Sequence, residues 1–191
     1  MNLRALLSFL LPAVFLAQVG TPVFMIAQRE KVLRRGEEFR FRSAPVDPYD
    51  AFRGRFVRVN VASNRVATAE AAAYARGERV HVTVTNDADG WAHFAAVSRR
   101  RPDGHAWIRT RVEWVDGRHV VFDTTMHRFY MEETEAPAAE VAVRDAARRG
   151  ATNRTAAIVA RVRDGLAVMT DLELDGRPIR DVLHERAAAK P

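Results

Sequence analysis

The 24 residues from Ala5 to Gln28, ALLSFLLPAVFLAQVGTPVFMIAQ, carry no charge and are bounded by Arg4 and Arg29. As a helix this run would be about 36 Å long at about 1.5 Å per residue, enough for a hydrocarbon core of about 30 Å. Pro12, Gly20 and Pro22 weaken a helix in water but are tolerated in a membrane, where neighbouring groups satisfy the freed backbone. The run exceeds the apolar region of a cleaved signal, and no small-residue cleavage pattern stands out around Ala17 to Gly20. Residues 1–28 are therefore expected to be a transmembrane anchor, with residues 5–26 in contact with the lipid bilayer. Arg29, Lys31, Arg34 and Arg35 make residues 29–36 a basic juxtamembrane segment suited to lipid headgroups. Orientation is contested by two rules. The positive charge after the run favours a cytoplasmic body, whereas a short basic N-terminus before an apolar run reads as an uncleaved export signal.

Beyond the run, which is apolar on all sides, the pattern becomes a hydrophobic period of two. Glu37 to Arg42 alternates, as do Val57, Val59 and Val61, and then Val80, Val82 and Val84. Ala67 to Ala75 reads as a short alanine-rich helix or loop. Trp91 to Val97 follows the turn cluster Asn86 to Gly90. Ile108, Thr110, Val112 and Trp114 are expected on one strand face, with Arg109, Arg111 and Glu113 on the other. Asp116-Gly117 suits a type I′ turn into His119 to Phe122. Another strand is expected from Arg128 to Met131. Pro137 to Arg149 reads as a helix ended by Gly150. Ala156 to Val162 and Leu166 to Leu172 are expected to pair through Asp164-Gly165, with a further turn at Asp175-Gly176. About eight strands and one or two short helices predict a mainly β body, an antiparallel sandwich or barrel, over residues 37–184. Residues 185–191 are expected to be a frayed tail.

Several chemistries are absent from the composition. There is no cysteine, so disulfides, thiolate nucleophiles and cysteine zinc sites are excluded. The body holds no lysine, since Lys31 and Lys190 are the only two, and a serine–lysine dyad cannot be built. Ser43, Ser63 and Ser98 are the body's serines, and none lies in a G-x-S-x-G turn. The six histidines form no H-x-H or H-E-x-x-H pattern, and no spacing supports a metal site across His93, His105 and His119. His81 alternates with Arg79 and Thr83, which suits a solvent-facing strand position. No phosphate-binding glycine loop is present, and no cofactor is expected. The formal net charge is +6, almost all of the basic side being arginine. Arg99-Arg100-Arg101 precedes a Pro-Asp-Gly turn without interleaved aromatics, so it reads as a solvated loop and nucleic acid is not an expected partner.

The stretch Pro45-Val46-Asp47-Pro48-Tyr49-Asp50, followed by Gly54-Arg55-Phe56-Val57-Arg58-Val59-Asn60-Val61, resembles the GDYXXLXY family of bacterial membrane-anchored proteins. The resemblance continues at Arg128 to Glu133, at Asp164 to Val168 and from Asp171 to Ile179. It singles out Pro45, Asp47, Pro48, Asp50, Gly54, Phe56, Val59 and Val61 as a motif of unassigned role. The name motif is degraded, with Arg55 in place of the aspartate, and Phe56 and Val61 in place of tyrosines. The resemblance implies one anchor, one globular domain outside the cytoplasm at the bacterial inner membrane, and association with a multi-pass membrane protein. It brings no catalytic residue. By their own chemistry, Pro45, Pro48 and the two aspartates suit a turn that sets strand register. The function expected is an anchored accessory or interaction module. The alternatives are an anchored hydrolase with a dispersed serine, histidine and carboxylate, or a lipid- or glycan-binding β domain.

Overall fold

The computed structural model describes residues 3–44, 56–132, 135, 137–139, 141–142 and 156–188, with the side chains of residues 3–9, 11, 56–58 and 186 outside that set. Helix α1 (Leu3–Arg35) leads into β1 (Glu37–Ala44), β2 (Phe56–Arg58), β3 (Asn60–Val61) and β4 (Arg65–Ala67). A 3₁₀ turn (Ala71–Ala73) precedes β5 (Arg79–Asn86), β6 (Ala92–Ser98), β7 (Ala106–Asp116), β8 (His119–Phe122) and β9 (Arg128–Tyr130). Strands β10 (Ala156–Arg163), β11 (Leu166–Leu174) and β12 (Arg177–Pro178) follow, and α2 (Ile179–Ala188) closes the described chain. Within the expected helix 137–149, residues 137–139 and 141–142 are helical, and the other positions lie outside the described residues. No helix was expected after Asp175. Nevertheless α2 runs past the expected tail boundary at Glu185, where Arg177 grips the Glu185 carboxylate.

The body is mainly β, as expected, but its sheet is mixed rather than antiparallel. The strand order is β12-β11-β10-β1-β6-β5-β7-β8-β4, with β3 beside β1 and a separate β2–β9 pair. Strand β1 meets β6 in parallel, Phe41 opposite Ala92, while it runs antiparallel to β10 over Glu37 to Arg42. Alternation reports which side chains face the core but not which strand lies alongside. A parallel neighbour requires a long crossover, and the chain between β1 and β6 supplies one. The sheet coils until the β10–β11 turn bridges β7, Gly165 to Ile108, with the Arg109 N–H donating to the Gly165 carbonyl at 2.8 Å.

The core follows the alternation. Phe39 and Phe41 point inward from β1, and Phe94 stacks on Phe41 at 5.2 Å and meets Phe122 edge-on at 5.0 Å. Aromatic pairs of this kind add about 0.5–1.5 kcal/mol beyond burial. Val80, Val82, Val84, Ile108, Val112, Ile158 and Leu172 complete the inner layer. Trp114 departs from expectation and is 54% exposed. The β7–β8 register shifts between Val112 and Trp114, and this bulge turns Trp114 to the outer face. The following turn also differs. Asp116 pairs with His119, leaving Gly117-Arg118 as the loop, and of these two only Gly117 has a positive φ, the pattern of a type II′ turn. Turns were expected at Asp164-Gly165 and Asp175-Gly176; each pair has two positive φ values, the pattern of a type I′ loop.

Among the described residues, no helix is long and apolar enough to cross a membrane. Along the described part of α1, Pro12, Gln18, Thr21, Pro22 and Gln28 dilute its apolar character. Its large apolar side chains are nevertheless exposed, including Leu10, Val14, Phe15, Leu16, Val19 and Val23 to Ile26.

Candidate functional site

Of the singled-out motif, Pro45, Asp47, Pro48, Asp50 and Gly54 lie outside the described residues. Phe56 opens β2 with its backbone opposite Tyr130. Val59 is fully buried and its N–H donates to the His127 carbonyl at 3.1 Å. Val61 is half-buried in β3, opposite Ser43 of β1. The Val57–Val61 alternation thus serves two ladders, β2 with β9 and β3 with β1, rather than one strand. The described part of the motif sets strand pairing and fills core.

Beside it lies a polar relay that the sequence did not signal, because Asn60 of β3 is far in the chain from Asp123 and His127 of the β8–β9 loop. His127 Nε2 lies 2.6 Å from Asp123 Oδ1, and His127 Nδ1 lies 3.3 Å from Asn60 Oδ1. Burial pushes the Asp123 carboxyl up, but the Thr125 N–H and His127 outweigh it and hold the group below its ordinary value of 3.8. Both ring nitrogens of His127 are engaged, so neither is left to activate a hydroxyl. Among the described residues no serine is hydrogen-bonded to a histidine: Ser43 donates to the Ala44 carbonyl, and Ser98 accepts the Arg100 N–H. His93 bonds Thr85 and His184 bonds Glu135. No three histidine or acidic side chains gather as a metal site among the described residues.

The junction of α1 with the body is more elaborate. Val32 is buried at 2% exposure against the sheet. The carbonyls at the end of a helix lack intrahelical partners and attract cations. Here Arg161 donates to the Leu33 carbonyl at 2.6 Å and Arg163 to the Arg35 carbonyl at 2.7 Å, both reaching from β10. Lys31 pairs with Asp164 at 2.8 Å. Its hydrogen bond is the main reason the Asp164 carboxyl sits below its ordinary value of 3.8, with the field of Arg163 and Arg101 adding to it.

On the far face of β5 and β7 the ladder places Arg79 opposite Arg111 and His81 opposite Arg109. A cleft of about 460 Å³ lies over the three arginines, bordered also by Thr110, Asp123 and Thr125. His81 was expected to face solvent. It is half-buried and meets Trp107 edge-on with ring centroids 4.8 Å apart, and its buried Nδ1 has no hydrogen-bond partner among the described residues. Arg99 is not free either, since it pairs with Glu78 and stacks 4.4 Å over Tyr74. Arg101 lies 5.2 Å over the Trp107 ring.

No curated protein and no solved structure matches the chain. The family model described as GDYXXLXY protein matches residues 18–172, from the second half of α1 to β11. With most of the chain inside that match, this protein belongs to the GDYXXLXY family.

Proposed function

We propose that this chain is a membrane-anchored accessory domain that works with a multi-pass membrane protein, its body outside the cytoplasm at the bacterial inner membrane. The observation that carries this reading is the exposure of α1. Val14, Phe15 and Leu16, and again Val23, Phe24, Met25 and Ile26, are consecutive exposed apolar residues. Successive helical positions are about 100° apart, so these side chains face every direction around the axis, and only an apolar medium accommodates such a surface. The sequence ahead of them, Ala5 to Leu11, adds five leucine or phenylalanine residues. The arginine clamp supports the same reading, because it holds the body in a set orientation at the end of the helix. A domain fixed in this way presents one constant face to a neighbour in the bilayer.

The test is affinity purification of the full-length protein in mild detergent. A multi-pass membrane protein is expected to co-purify in stoichiometric amount. A chain recovered alone and monomeric would overturn the accessory role.

A further inference from the structure

We propose that Arg79, Arg109 and Arg111 form a binding site for a phosphate group on the outer face of β5 and β7. In an antiparallel ladder, directly opposite side chains on one face are neighbours, and like charges there repel. Arg79 is directly opposite Arg111, and Arg109 is two residues along on the same face. The cleft above them measures about 460 Å³. Asp123 is the carboxylate that lines it, and that group already accepts the Thr125 N–H at 2.8 Å and pairs with His127. Arg111 donates to the Gly77 carbonyl at 3.0 Å, which orients the guanidinium without neutralising it. Among the described residues, no acid pairs with Arg79 or Arg109.

Some arginines of the body pair with carboxylates: Arg40 with Glu173, Arg99 with Glu78, Arg161 with Glu38 and Arg177 with Glu185. What sets Arg79, Arg109 and Arg111 apart is that the β5–β7 ladder holds all three on one face, lining one cleft. Guanidinium forks match the oxygens of a phosphate, and three converging forks suit a group with several acceptor oxygens better than a single carboxylate. Arg109 and Thr125 also border a second pocket of about 240 Å³ that is lined as well by Met25, Gln28 and Arg29 of α1. The phosphate can come from an anionic lipid headgroup or from a soluble phosphate. The lipid source rests on the reading of α1 as an anchor, whereas the arginine chemistry does not.

The experiment titrates full-length protein in neutral detergent with inorganic phosphate, and separately with micelles containing phosphatidylglycerol or phosphatidylcholine. Binding is read by ³¹P NMR. R79Q/R109Q, which leaves the Arg111–Gly77 bond intact, is expected to weaken binding at least tenfold. R65Q/R118Q removes the same charge from exposed positions elsewhere and is expected to leave binding unchanged. Phosphate binding without a phosphatidylglycerol preference would keep the site and remove its lipid source. Phosphatidylglycerol binding alone would assign the headgroup. Equal losses in the two variants, or binding of neither probe, would overturn the proposal.

Discussion

At the residue scale, Gly165 carries two requirements at once. Its φ of +81° belongs to the left-handed region, and a Cβ there would meet the Trp107 ring at 2.3 Å and 2.6 Å. Gly165→Ala is expected to cost about 2–5 kcal/mol, combining the backbone penalty with overpacking. Gly90 has a similar φ of +80° with nothing within 4 Å of an added Cβ. Gly90→Ala is expected to show only the backbone penalty, about 1–2 kcal/mol. Thermal unfolding of the pair separates the two effects, and equal losses would remove Trp107 packing as a cause. Asp164, one residue earlier, also has a positive φ of 50°, which asparagine adopts readily. Asp164→Asn therefore keeps the turn and removes the charge opposite Lys31. Both side chains are about half exposed, so the expected loss is below about 1 kcal/mol. Because the folded carboxyl is held below its ordinary value of 3.8, its contribution is present above that pH and disappears as pH falls through the depressed value. The difference between wild type and Asp164→Asn in urea unfolding should accordingly shrink on acidification below about pH 3.8.

At the scale of elements, the end of α1 is held by groups far away in sequence. Arg161 and Arg163 lie on alternate positions of β10, on the face that α1 covers, and each reaches a carbonyl of the last turn. Replacing both with alanine leaves those carbonyls to water and is expected to cost about 1–3 kcal/mol, less than a buried pair would because both sites are partly exposed. Amide exchange in residues 29–36 should rise at least tenfold while that of β5 and β7 stays unchanged. Unchanged exchange at the junction would mean that Val32 burial alone secures the helix. Strand β10 itself shows why the junction is firm. Ala157, Ile158, Val159 and Ala160 are all buried, so the strand is covered on both faces along that stretch.

For the whole molecule, the consequence of the proposed anchor is a body that cannot turn freely relative to the bilayer. Placing two arginines within Leu10 to Leu16 is expected to abolish recovery of the protein in the membrane fraction, because each central charge costs about 2.5–3.5 kcal/mol on insertion scales. Unchanged recovery would exclude this helix as the anchor. The clamp then predicts a second behaviour. The Arg161→Ala, Arg163→Ala protein should remain in membranes yet lose its stoichiometric partner, since the face it presents would no longer be held in one orientation.

Side-chain period and turn chemistry determined much of this protein before any contact was known. Phe39 and Phe41, Val80 to Val84, and the Asp-Gly turns at 164–165 and 175–176 follow from alternation and from the positive φ that those residues tolerate. The arginines at 109 and 111 were legible as one strand face, and Arg79 with His81 as another. That the two faces are the same surface was decided by the pairing of β5 with β7, which lies outside both segments. The same holds for Trp114, which the alternation assigned to the core and a bulge turned outward. It holds too for the parallel contact of β1 with β6 and for the arginine clamp on α1. Local sequence sets the preferences of a segment through sterics and solvation. The neighbour that each segment meets is selected by closing long loops around one core, and that choice is made by the chain as a whole.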